Sequence, residues 1–438
     1  CAMYASAFVQ SFREAAPYIH AFRGRTFVIG FGGEALEQGR FASLSHDINL
    51  LVSLGVKVVL VHGARPQIDE LLKIRGITPR IHLDRRVTDS DTIEIVKQAV
   101  GWTRAEIEAQ LSVALPDSPM AGANLRIVGG NHIVARPLGV IDGVDMQYSG
   151  QVRKLETAAI TARLEAGELV MLSPLGYSPT GEMFNLTLED VATAAAIGLK
   201  AEKLVFLTDA DGVLDEAGVL KHQITASEAE GLLASQVPLS EDIAVYLPCA
   251  LRAIRQGVNR AHFINYHTDG GLLTELFTHD GLGSMVSPAP LDRLREAAID
   301  DVGDILSLIE PLEREGILVK RSRELLEMEI QKFSVLAHDG RIVGCVAMNL
   351  FGEAGMAELA CLAVSPEWAG EGYGEALLHH VESQARASGV FRLFVLTTRT
   401  AHWFIERGFA ESALSALPPA KQQFYNYQRR SKVFLKNL

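Results

Sequence analysis

The sequence predicts an α/β protein of two domains, and three observations lead to this prediction. The 438 residues exceed what one typical hydrophobic core organises. Between about residues 25 and 285, β-rich apolar runs alternate with helix-patterned stretches, which is typical of a mainly parallel sheet covered by helices. After Ser287-Pro288-Ala289-Pro290 the pattern changes, and two prolines suit a linker. We therefore expect one domain over residues 1–285, a linker over 286–292 and a second domain over 293–438.

Individual elements can be predicted in both domains. In the first, apolar runs predict strands at residues 26–29, 56–61 and 204–207, and residues 8–22 have the pattern of a helix. The second begins with a strand, two helices and a hairpin across His338-Asp339-Gly340-Arg341, where Asp-Gly favours a tight turn. It continues with a strand at 358–364, a helix at 374–388, a strand at 391–397 and a short helix at 400–407.

Composition and charge narrow the class of protein. A formal net charge of −12 and a pI near 5.6 disfavour nucleic acid or an anionic membrane as the main partner, because phosphate groups bind clustered lysine and arginine. The four cysteines stand far apart, without the spacing of a zinc site or a disulfide framework, so we expect no metal and a reducing compartment. No apolar run approaches the roughly 18–20 residues of a membrane-spanning helix, and the first residues lack the pattern of a signal peptide. We therefore expect a cytoplasmic enzyme.

The most informative segment, residues 362–378, joins an apolar strand to a helix through a glycine-rich turn. Gly370, Gly372 and Gly374 alternate with other residues, and a leucine pair follows on the helix. Glycines let the backbone approach an anion closely, and the N–H groups at a helix N-terminus favour a pyrophosphate. The alternative interpretation is a tight strand-to-helix connection without a ligand.

Together, the strand, the Val364-Ser365-Pro366 lead-in, the glycines and the leucine pair resemble the acetyl-CoA motif of GCN5-related N-acetyltransferases. Residues 403–409, Trp-Phe-Ile-Glu-Arg-Gly-Phe, resemble the closing aromatic segment of that family. The resemblance implies that the strand diverges from its neighbour, pairs with the pantetheine arm of acetyl-CoA and polarises the thioester carbonyl. It assigns cofactor binding to Cys361, Leu362, Ala363, Val364, Gly370, Glu371, Gly372, Tyr373, Gly374 and Glu375.

Two positions depart from the pattern of that family. Ala369 stands where members usually have arginine or glutamine, so part of the contact with the pyrophosphate is missing. Phe404 stands where many members have a tyrosine that returns a proton to the CoA thiolate, and a phenylalanine has no hydroxyl for this step.

Transfer of an acetyl group to an amine requires a base, because the nucleophile must be neutral. The resemblance places a carboxylate base at Glu358, and the alternative is a solvated glutamate at a strand end. Thr397 ends the next predicted strand, where its hydroxyl either donates to the thiolate in place of the missing tyrosine or caps the strand. We do not expect an acetyl-cysteine at Cys361, because no neighbouring histidine or lysine is evident to activate it.

Two basic segments indicate which amine accepts the acetyl group. Lys320 and Arg321 precede a predicted helix, and Arg429, Arg430 and Ser431 lie near the end of the chain. Arginine pairs with carboxylates through two hydrogen bonds, and glutamate carries two carboxylates. We therefore predict that these residues bind an acidic amino acid, the alternative being solvated basic faces.

Four ordered motifs in the first 285 residues resemble N-acetylglutamate kinase. They are Val28-Ile29-Gly30-Phe31-Gly32-Gly33, residues 60–68 (LVHGARPQI), Arg86-Val87-Thr88-Asp89 and residues 207–214 (LTDADGVL). The resemblance implies a three-layer amino-acid-kinase-like fold. The two lysines of the kinase are replaced by Gly30 and Cys249, and its catalytic aspartate by Glu189. Because phosphoryl transfer relies on such cations, we expect this domain to be inactive as a kinase.

The same domain resembles the kinases of this type that arginine inhibits. Residues 8–22 resemble the N-terminal helix that links their dimers into hexamers, and residues 272–284 resemble their arginine site. By this resemblance Glu275 would bind a guanidinium while loop N–H groups hold the carboxylate, the alternative being a surface glutamate on a helix. The residues assigned to arginine are Tyr18, Lys203, Glu275, Gly281, Gly283 and Ser284.

A kinase-like domain fused to an acetyltransferase domain is the architecture of the bacterial N-acetylglutamate synthase family, and the resemblance spans nearly the whole chain. It implies transfer of an acetyl group from acetyl-CoA to L-glutamate, the first step of arginine biosynthesis, with feedback regulation by L-arginine and a homohexamer built from dimers. Two alternatives stay open. One is a bifunctional synthase and kinase with a divergent phosphate site, and the other is an arginine-sensing acetyltransferase that modifies protein lysines.

Overall fold

The computed structural model of the protein describes residues 2–215, 217–235, 238–278, 281–288, 292–338, 340–370, 372–423 and 431–438. Contacts between residues divide the chain into two compact units, residues 1–289 and 290–438.

The first unit contains both strands and helices along its whole length. Its strands are β1 (Thr26–Phe31), β2 (Lys57–His62), β3 (Ile81–His82), β4 (Arg85–Arg86), β5 (Ile127–Val128), β6 (Ile133–Pro137), β7 (Val140–Ile141), β8 (Val144–Asp145), β9 (Gly150–Leu155), β10 (Leu169–Leu172), β11 (Leu175–Tyr177), β12 (Met183–Asn185), β13 (Lys203–Thr208), β14 (Gln223–Thr225), β15 (Arg260–Asn265) and β16 (Ser284–Ser287). Its helices are α1 (Ala2–Phe22), α2 (Phe41–Ser53), α3 (Arg65–Ile74), α4 (Ser90–Leu111), α5 (Thr157–Glu165), α6 (Leu188–Gly198), α7 (Ala226–Ala234), α8 (Glu241–Arg255) and α9 (Gly271–Phe277).

The main sheet of the first unit has the strand order β14-β16-β15-β13-β1-β2-β10-β5, and its neighbours run parallel except for β15 and β16. The central strands read as continuous apolar runs because helices cover both faces of the sheet. In β1, Phe27, Ile29 and Phe31 pack with α1, α2 and α9 on one face, whereas Val28 packs with α6 and α8 on the other. These three layers confirm the predicted α/β class with a mainly parallel sheet.

Local sequence sets the start of several helices in this unit. Asp89 accepts a hydrogen bond from the N–H of Thr92 at the start of α4, and Thr187 accepts one from the N–H of Asp190 at the start of α6. Such side chains satisfy N–H groups that have no partner in the first turn of a helix. A smaller sheet has the order β12-β11-β6-β9, and its strands all fall between β5 and β13 in the chain.

The second unit is built around one sheet. Its strands are β17 (Asp292–Glu296), β18 (Phe333–His338), β19 (Arg341–Phe351), β20 (Met356–Val364), β21 (Arg392–Thr397), β22 (Ala410–Ser412) and β23 (Lys432–Asn437). Its helices are α10 (Val302–Arg314), α11 (Arg323–Glu329), α12 (Tyr373–Ala387), α13 (Ala401–Ile405) and α14 (Pro419–Gln422).

This sheet has the order β17-β18-β19-β20-β21-β23-β22 and is antiparallel except for the pair β20 and β21. Helix α12 packs on one face, and α10 and α11 pack on the other. The predicted hairpin is present between β18 and β19, and Asp339 of its turn lies outside the described residues. Helix α13 ends earlier than predicted because Gly408 turns the chain with φ +86° and the N–H of Phe409 bonds back to the carbonyl of Phe404.

Candidate active site

The two parallel strands of the second unit, β20 and β21, separate partway along their length. Their ladder begins with Met356 and Arg392 and ends with Glu358 and Phe394, although β20 continues to Val364 and β21 to Thr397. All of β21 is paired with β23 on its other side. Beyond Glu358, β20 therefore presents a strand edge toward an opening, and an extended ligand can pair with such an edge. This geometry confirms the divergence that the resemblance implied.

A β-bulge lies in β20 where the strands separate. β19 pairs Cys345 with Ala363 and Ala347 with Ala360, so that Cys361 and Leu362 together lie opposite one residue. Cys361 has φ +53°, a left-handed conformation that is uncommon outside glycine. The bulge re-aims the strand: Cys361 and Ala363 pack toward α10 and α11, whereas Leu362 packs on the face of α12.

The glycine-rich turn leads from β20 into α12. Gly370 has φ +100° and Gly372, the N-cap of this 15-residue helix, has φ +79°. A Cβ on either residue would meet no other atom within 4 Å, so packing does not require glycine here. The positive φ of the backbone is what favours it. At Gly374 a Cβ would come within 3.3 Å of the ring of Trp403. The first N–H groups of α12 precede the first hydrogen bond of the helix, from the N–H of Ala376 to the carbonyl of Gly372, and such N–H groups can bind a phosphate. Glu371 lies outside the described residues.

Side chains around this turn are engaged with one another. The guanidinium of Arg407 lies 4.1 Å from the ring of Trp403 and 3.8 Å from the carboxylate of Glu375. The hydroxyl of Tyr373 is 3.3 Å from Nδ1 of His338.

Phe404, at the position of the expected tyrosine, is a core residue. Its ring is 5% exposed and packs edge-on against Trp403 at 4.9 Å and Phe409 at 5.3 Å. Ala369, which precedes the turn, is extended, and its methyl group offers an anion no hydrogen bond.

Glu358 is buried at the last rung that joins β20 to β21. Its carboxylate contacts the ammonium of Lys421 with both oxygens, at 2.6 and 2.7 Å, and Oε2 also accepts a hydrogen bond of 3.1 Å from Nδ2 of Asn349. The side chain is 7% exposed. The interpretation of Glu358 as a solvated strand-end residue is therefore wrong. The carboxylate is buried beside the opening, and its oxygens accept three hydrogen bonds from Lys421 and Asn349.

Thr397 makes the contacts of a capping residue at the end of β21. Its Oγ1 accepts a hydrogen bond of 3.1 Å from the N–H of Thr400 and lies 2.8 Å from the hydroxyl of Thr400. These contacts hold the turn from β21 into α13 and use Thr397 as an acceptor, so its hydroxyl can still donate to a thiolate. Ser431 is buried and directly precedes β23, whose first residue Lys432 pairs with Thr397, so Ser431 lies at the end of β21.

Arg321, one of the predicted substrate residues, acts electrostatically on the bulge. Hydrogen bonding with Cys345 lowers the pKa of the Cys361 thiol, burial opposes this, and the charge of Arg321 lowers the pKa further. Arg321 lies in the loop between α10 and α11, where its N–H donates to Glu313 at 2.9 Å, and Lys320 beside it is exposed. Arg429 and Arg430 lie outside the described residues.

Two residues of this site, Lys421 and Asn349, were not predicted from the sequence. Asn349 lies opposite Glu358 in the ladder of β19 and β20, so a correct strand register would have found it. Lys421 lies 63 positions after Glu358 on the four-residue helix α14, and no local pattern connects the two.

Comparison with known proteins agrees with this architecture. The amino acid kinase family matches residues 25–265, and the GNAT acetyltransferase family matches residues 302–409. An amino-acid acetyltransferase of Ralstonia nicotianae is 50% identical over 431 residues, covering 98% of this chain and 95% of that protein. Another, of Azotobacter vinelandii, is 50% identical over 432 residues, covering 98% of this chain and 99% of that protein. The chain belongs to the amino-acid acetyltransferase family.

Solved structures extend the comparison for this amino-acid acetyltransferase. N-acetylglutamate synthase from Neisseria gonorrhoeae, complexed with coenzyme A and L-arginine, is 42% identical and aligns with a TM-score of 0.88 over 98% of this chain and 99% of that one. The same synthase complexed with coenzyme A and N-acetyl-glutamate aligns with a TM-score of 0.63 at the same identity and coverage. The resemblance to the N-acetylglutamate synthase family is therefore confirmed.

In the first unit of this amino-acid acetyltransferase, Glu275 is part of a buried chain of polar contacts. Its Oε1 is 2.7 Å from Nδ1 of His262, and Nε2 of His262 is 3.0 Å from the ammonium of Lys203. Oε2 accepts hydrogen bonds of 2.7 and 2.8 Å from the N–H groups of Leu282 and Gly283. The interpretation of Glu275 as a surface residue is wrong, because it is 8% exposed. In this conformation Glu275 itself occupies the loop N–H groups that were expected to hold a ligand carboxylate.

These contacts shift the pKa values of Glu275 and His262. Burial alone would raise the pKa of Glu275, but hydrogen bonds from His262 and from the loop N–H groups outweigh it and lower that pKa to about 2. Burial, with the charge of Lys203, lowers the pKa of His262 to about 4. A neutral imidazole that donates from Nδ1 to Glu275 and accepts at Nε2 from Lys203 satisfies all three side chains.

The other residues assigned to arginine surround the same chain. The ammonium of Lys203 lies 4.9 Å from the ring centroid of Phe22, which lies 6.0 Å from the ring of Tyr18. A Cβ on Gly281 would approach Glu275 to 2.5 Å, and one on Gly283 would approach the carbonyl of Phe263 to 2.0 Å. Ser284 is buried, and its hydroxyl accepts a hydrogen bond of 2.8 Å from the N–H of Val213. His262, central to this cluster, was not predicted.

The positions of the two lysines and of the catalytic aspartate of the kinase are filled differently here. A Cβ on Gly30 would come within 3.3 Å of Phe206, whose ring stacks on Tyr246 at 4.5 Å. Burial raises the pKa of Glu189 and raises that of the Cys249 thiol to about 11. These positions therefore hold an aromatic stack, a half-buried carboxyl and a neutral thiol, which do not stabilise the negative charge of a phosphoryl group.

Within the described ranges, no group of three or more histidine, cysteine, aspartate or glutamate side chains is placed to hold a metal ion. None of the helices in that part of the chain is long and apolar enough to cross a membrane.

Proposed function

We propose that this chain transfers the acetyl group of acetyl-CoA to the α-amino group of L-glutamate. The observation that carries the proposal is the position of Glu358, a buried and charge-paired carboxylate at the last rung before β20 and β21 separate. A base at this point can take a proton from an amine that enters the opening, beside a thioester held along the edge of β20.

The proposed reaction is direct transfer in a ternary complex. The ammonium proton passes to Glu358, directly or through water, and the free amine attacks the thioester carbon. A carbon–nitrogen bond forms, the carbon–sulfur bond breaks, and the departing CoA thiolate takes up the second proton that the attacking nitrogen loses. Backbone N–H groups of β20 beyond Glu358 stabilise the oxyanion, and both substrates are held side by side, which lowers the entropic part of the barrier. Thr397 keeps its predicted role as the donor of that proton to the thiolate, because its hydroxyl can accept a hydrogen bond from the N–H of Thr400 and still donate one.

Acetyl-CoA is assigned to the opening and to the glycine-rich turn. The strand edge from Cys361 to Val364 would pair with the amide groups of the pantetheine arm, and the N–H groups around Gly370, Gly372 and Gly374 would bind the pyrophosphate. The synthase from Neisseria gonorrhoeae, solved with coenzyme A, supports this assignment.

L-glutamate is proposed as the acceptor because the chain belongs with the N-acetylglutamate synthases and because Arg321 lies in the loop between α10 and α11, the helices against which Cys361 packs. The charge of Arg321 contributes to lowering the pKa of the Cys361 thiol, which agrees with a cation on this side of the sheet. Lys320, Arg429, Arg430 and Ser431 keep their predicted role in binding the carboxylates. The complex of the Neisseria synthase with N-acetyl-glutamate supports this choice of acceptor.

L-arginine is proposed as the effector, bound near Glu275 in the first unit. Support comes from the arginine complex of the Neisseria synthase and from the clustering of Tyr18, Lys203, Glu275 and the following loop. The absence of kinase activity remains a prediction, supported by the aromatic stack beside Gly30. The homohexamer and the cytoplasmic location also remain predictions.

The test is release of free CoA thiol by the purified full chain with acetyl-CoA and a panel of amino acids, with and without arginine. We expect activity with L-glutamate alone among the amino acids and a change of rate on adding arginine. Activity on a lysine-containing peptide instead of glutamate would support the protein-acetyltransferase alternative. Formation of ADP with N-acetylglutamate and ATP would support the bifunctional one.

A further inference from the structure

The carboxylate of Glu358 already holds an ammonium group in this structure. Lys421 reaches both of its oxygens, at 2.6 and 2.7 Å, and Asn349 donates to one of them. The lysine side chain is 25% exposed whereas that of Glu358 is 7% exposed, so the pair meets solvent on its lysine side.

The position of Lys421 is set by a short, rigid segment. Leu417 is buried in a cluster with Met356 and Phe394, on the face of the sheet that carries Glu358. Pro418 and Pro419 follow, and the N–H of Lys421 bonds to the carbonyl of Pro418 at 2.8 Å. Since proline restricts the backbone, little conformational freedom is lost in presenting the lysine to Glu358.

An acceptor amine that gives its proton to Glu358 must approach the same two oxygens. Before deprotonation the acceptor is also an ammonium ion, so it competes with Lys421 for the same hydrogen-bond positions. When the acceptor takes one oxygen, the ammonium of Lys421 keeps the other or moves toward a new anion nearby.

An α-amino acid brings that anion with it. Its ammonium and its α-carboxylate are separated by a single carbon, so an amino acid held at Glu358 places its α-carboxylate next to Lys421. The amine of a protein lysine side chain has no such neighbouring carboxylate. Lys421 would therefore lose a partner without compensation if a protein lysine entered.

We propose that Lys421 determines the specificity of this site for free α-amino acids: it positions Glu358 before substrate binding and then pairs with the α-carboxylate of the acceptor. This inference rests on the proposed acetyl transfer to glutamate and adds a residue that the resemblance did not assign. The cationic residues predicted from the sequence then remain for the side-chain carboxylate.

A matched control is present in the same unit. Lys436 contacts Glu382 at 2.6 Å, with side-chain exposures of 22% and 4% against 25% and 7% for Lys421 and Glu358. Glu382 lies on α12, and nothing places this second pair in the reaction. Substituting Lys436 therefore reproduces the loss of a buried ion pair without touching the acceptor.

The experiment compares kcat/KM for three acceptors: L-glutamate, its α-carboxamide, and L-glutamine as the γ-carboxamide. In the wild type the α-carboxamide should be a far poorer acceptor than glutamate. In Lys421→Met the preference for glutamate over the α-carboxamide should fall by roughly 10- to 150-fold, the range expected for a hydrogen bond to a charged group. The effect should arise mainly as a rise in KM for glutamate. The preference for glutamate over L-glutamine should not change.

Further variants separate the inference from loss of structure and from failure of the proposed function. Lys421→Gln, which can still donate to Glu358, should lose the same preference, whereas Lys421→Arg and Lys436→Met should retain it. An active wild type with an unchanged preference in Lys421→Met and Lys421→Gln overturns the inference alone. A wild type that releases no CoA with glutamate overturns the proposed function and the inference with it.

Discussion

Glu275 and Gly283 are joined by a hydrogen bond of 2.8 Å from the backbone N–H of Gly283 to Oε2 of Glu275, which ties α9 to the loop that leads into β16. The other carboxylate oxygen contacts His262. A ligand that uses this loop must therefore replace an internal carboxylate, and its apparent affinity is reduced by the free energy of breaking these contacts. If a ligand carboxylate replaced that of Glu275 at the loop, Glu275 would be released, and ligand binding would be coupled to the position of α9.

Replacing Glu275 with alanine should destabilise the first unit. It leaves His262 and two loop N–H groups without their buried acceptor, and we expect a loss of about 3 kcal/mol in the free energy of unfolding, as for other broken buried pairs. Urea unfolding of the full chain measures this loss. Glu165→Ala, which removes an exposed partner of Lys57, should cost less than about 1 kcal/mol. Equal losses in the two variants would contradict the buried network.

Protonation of His262 should make the fold less stable in acid. Burial, then the charge of Lys203, lowers its pKa from 6.5 to about 4, so the folded chain keeps His262 neutral where the unfolded chain binds a proton. Its contribution is therefore fully present above pH 6.5 and decreases as the pH falls toward 4, by about 3 kcal/mol in total.

Other buried groups also contribute to this pH dependence. Burial lowers the pKa of His62 to about 4, which acts in the same direction. Burial and Asp269 raise the pKa of Asp47 to about 6, which acts in the opposite direction between pH 6 and 4. The contribution of His262 is thus measured as the difference between wild type and His262→Gln in urea unfolding from pH 7.5 to 4.5. If the free energy of unfolding depended on pH in the same way in both proteins, His262 would not contribute to the acid sensitivity.

Gly372→Ala should weaken acetyl-CoA binding beyond its effect on stability. An alanine at φ +79° is strained by about 1–2 kcal/mol, and its Cβ would stand where the pyrophosphate meets the helix N-terminus. Gly389→Ala is the control, because Gly389 has φ +72° and its Cβ would also meet no atom within 4 Å, but it lies at the other end of α12. Both variants should lose similar stability, and only Gly372→Ala should raise KM for acetyl-CoA. A similar KM in the two would argue against the turn as the pyrophosphate site.

Glu358→Gln should lower turnover strongly and leave acetyl-CoA binding nearly intact. Glutamine preserves the shape of the side chain but does not accept the proton, and a positioned base contributes roughly 10²- to 10⁴-fold to the rate. Initial rates give kcat, and calorimetry gives the affinity for acetyl-CoA. Glu382→Gln breaks the comparable ion pair with Lys436 and should keep its turnover. Full activity in Glu358→Gln would exclude Glu358 as the base.

Restoring a lysine at position 30 should not restore kinase activity. A side chain there meets Phe206 at 3.3 Å, so Gly30→Ala and Gly30→Lys should each destabilise the first unit by about 1–3 kcal/mol through overpacking. Gly101→Ala, in the middle of α4 with no atom within 4 Å of the new Cβ, should instead add about 0.5–1 kcal/mol of stability. An assay for ADP formation with N-acetylglutamate should stay at background in Gly30→Lys. Measurable phosphorylation would show that the stack of Phe206 and Tyr246 leaves the phosphate site functional.

Much of the fold could be predicted because its signals are local. The apolar runs of β1 and β2, the glycine turn before α12 and the proline-rich junction after Ser287 each depend on residues adjacent in sequence. Glu358 could also be assigned, since its place in the strand before the turn follows from the same motif.

What the sequence by itself determined was the succession of elements, the architecture of two domains and the position of a carboxylate at the strand opening. The tertiary structure decided which side chains meet that carboxylate and which meet Glu275. Lys421 approaches Glu358 across 63 residues, and Lys203 is connected to Glu275 through His262. The physical reason is that hydrophobic periodicity and turn chemistry act within a few residues, whereas buried ion pairs form only where packing brings distant segments together.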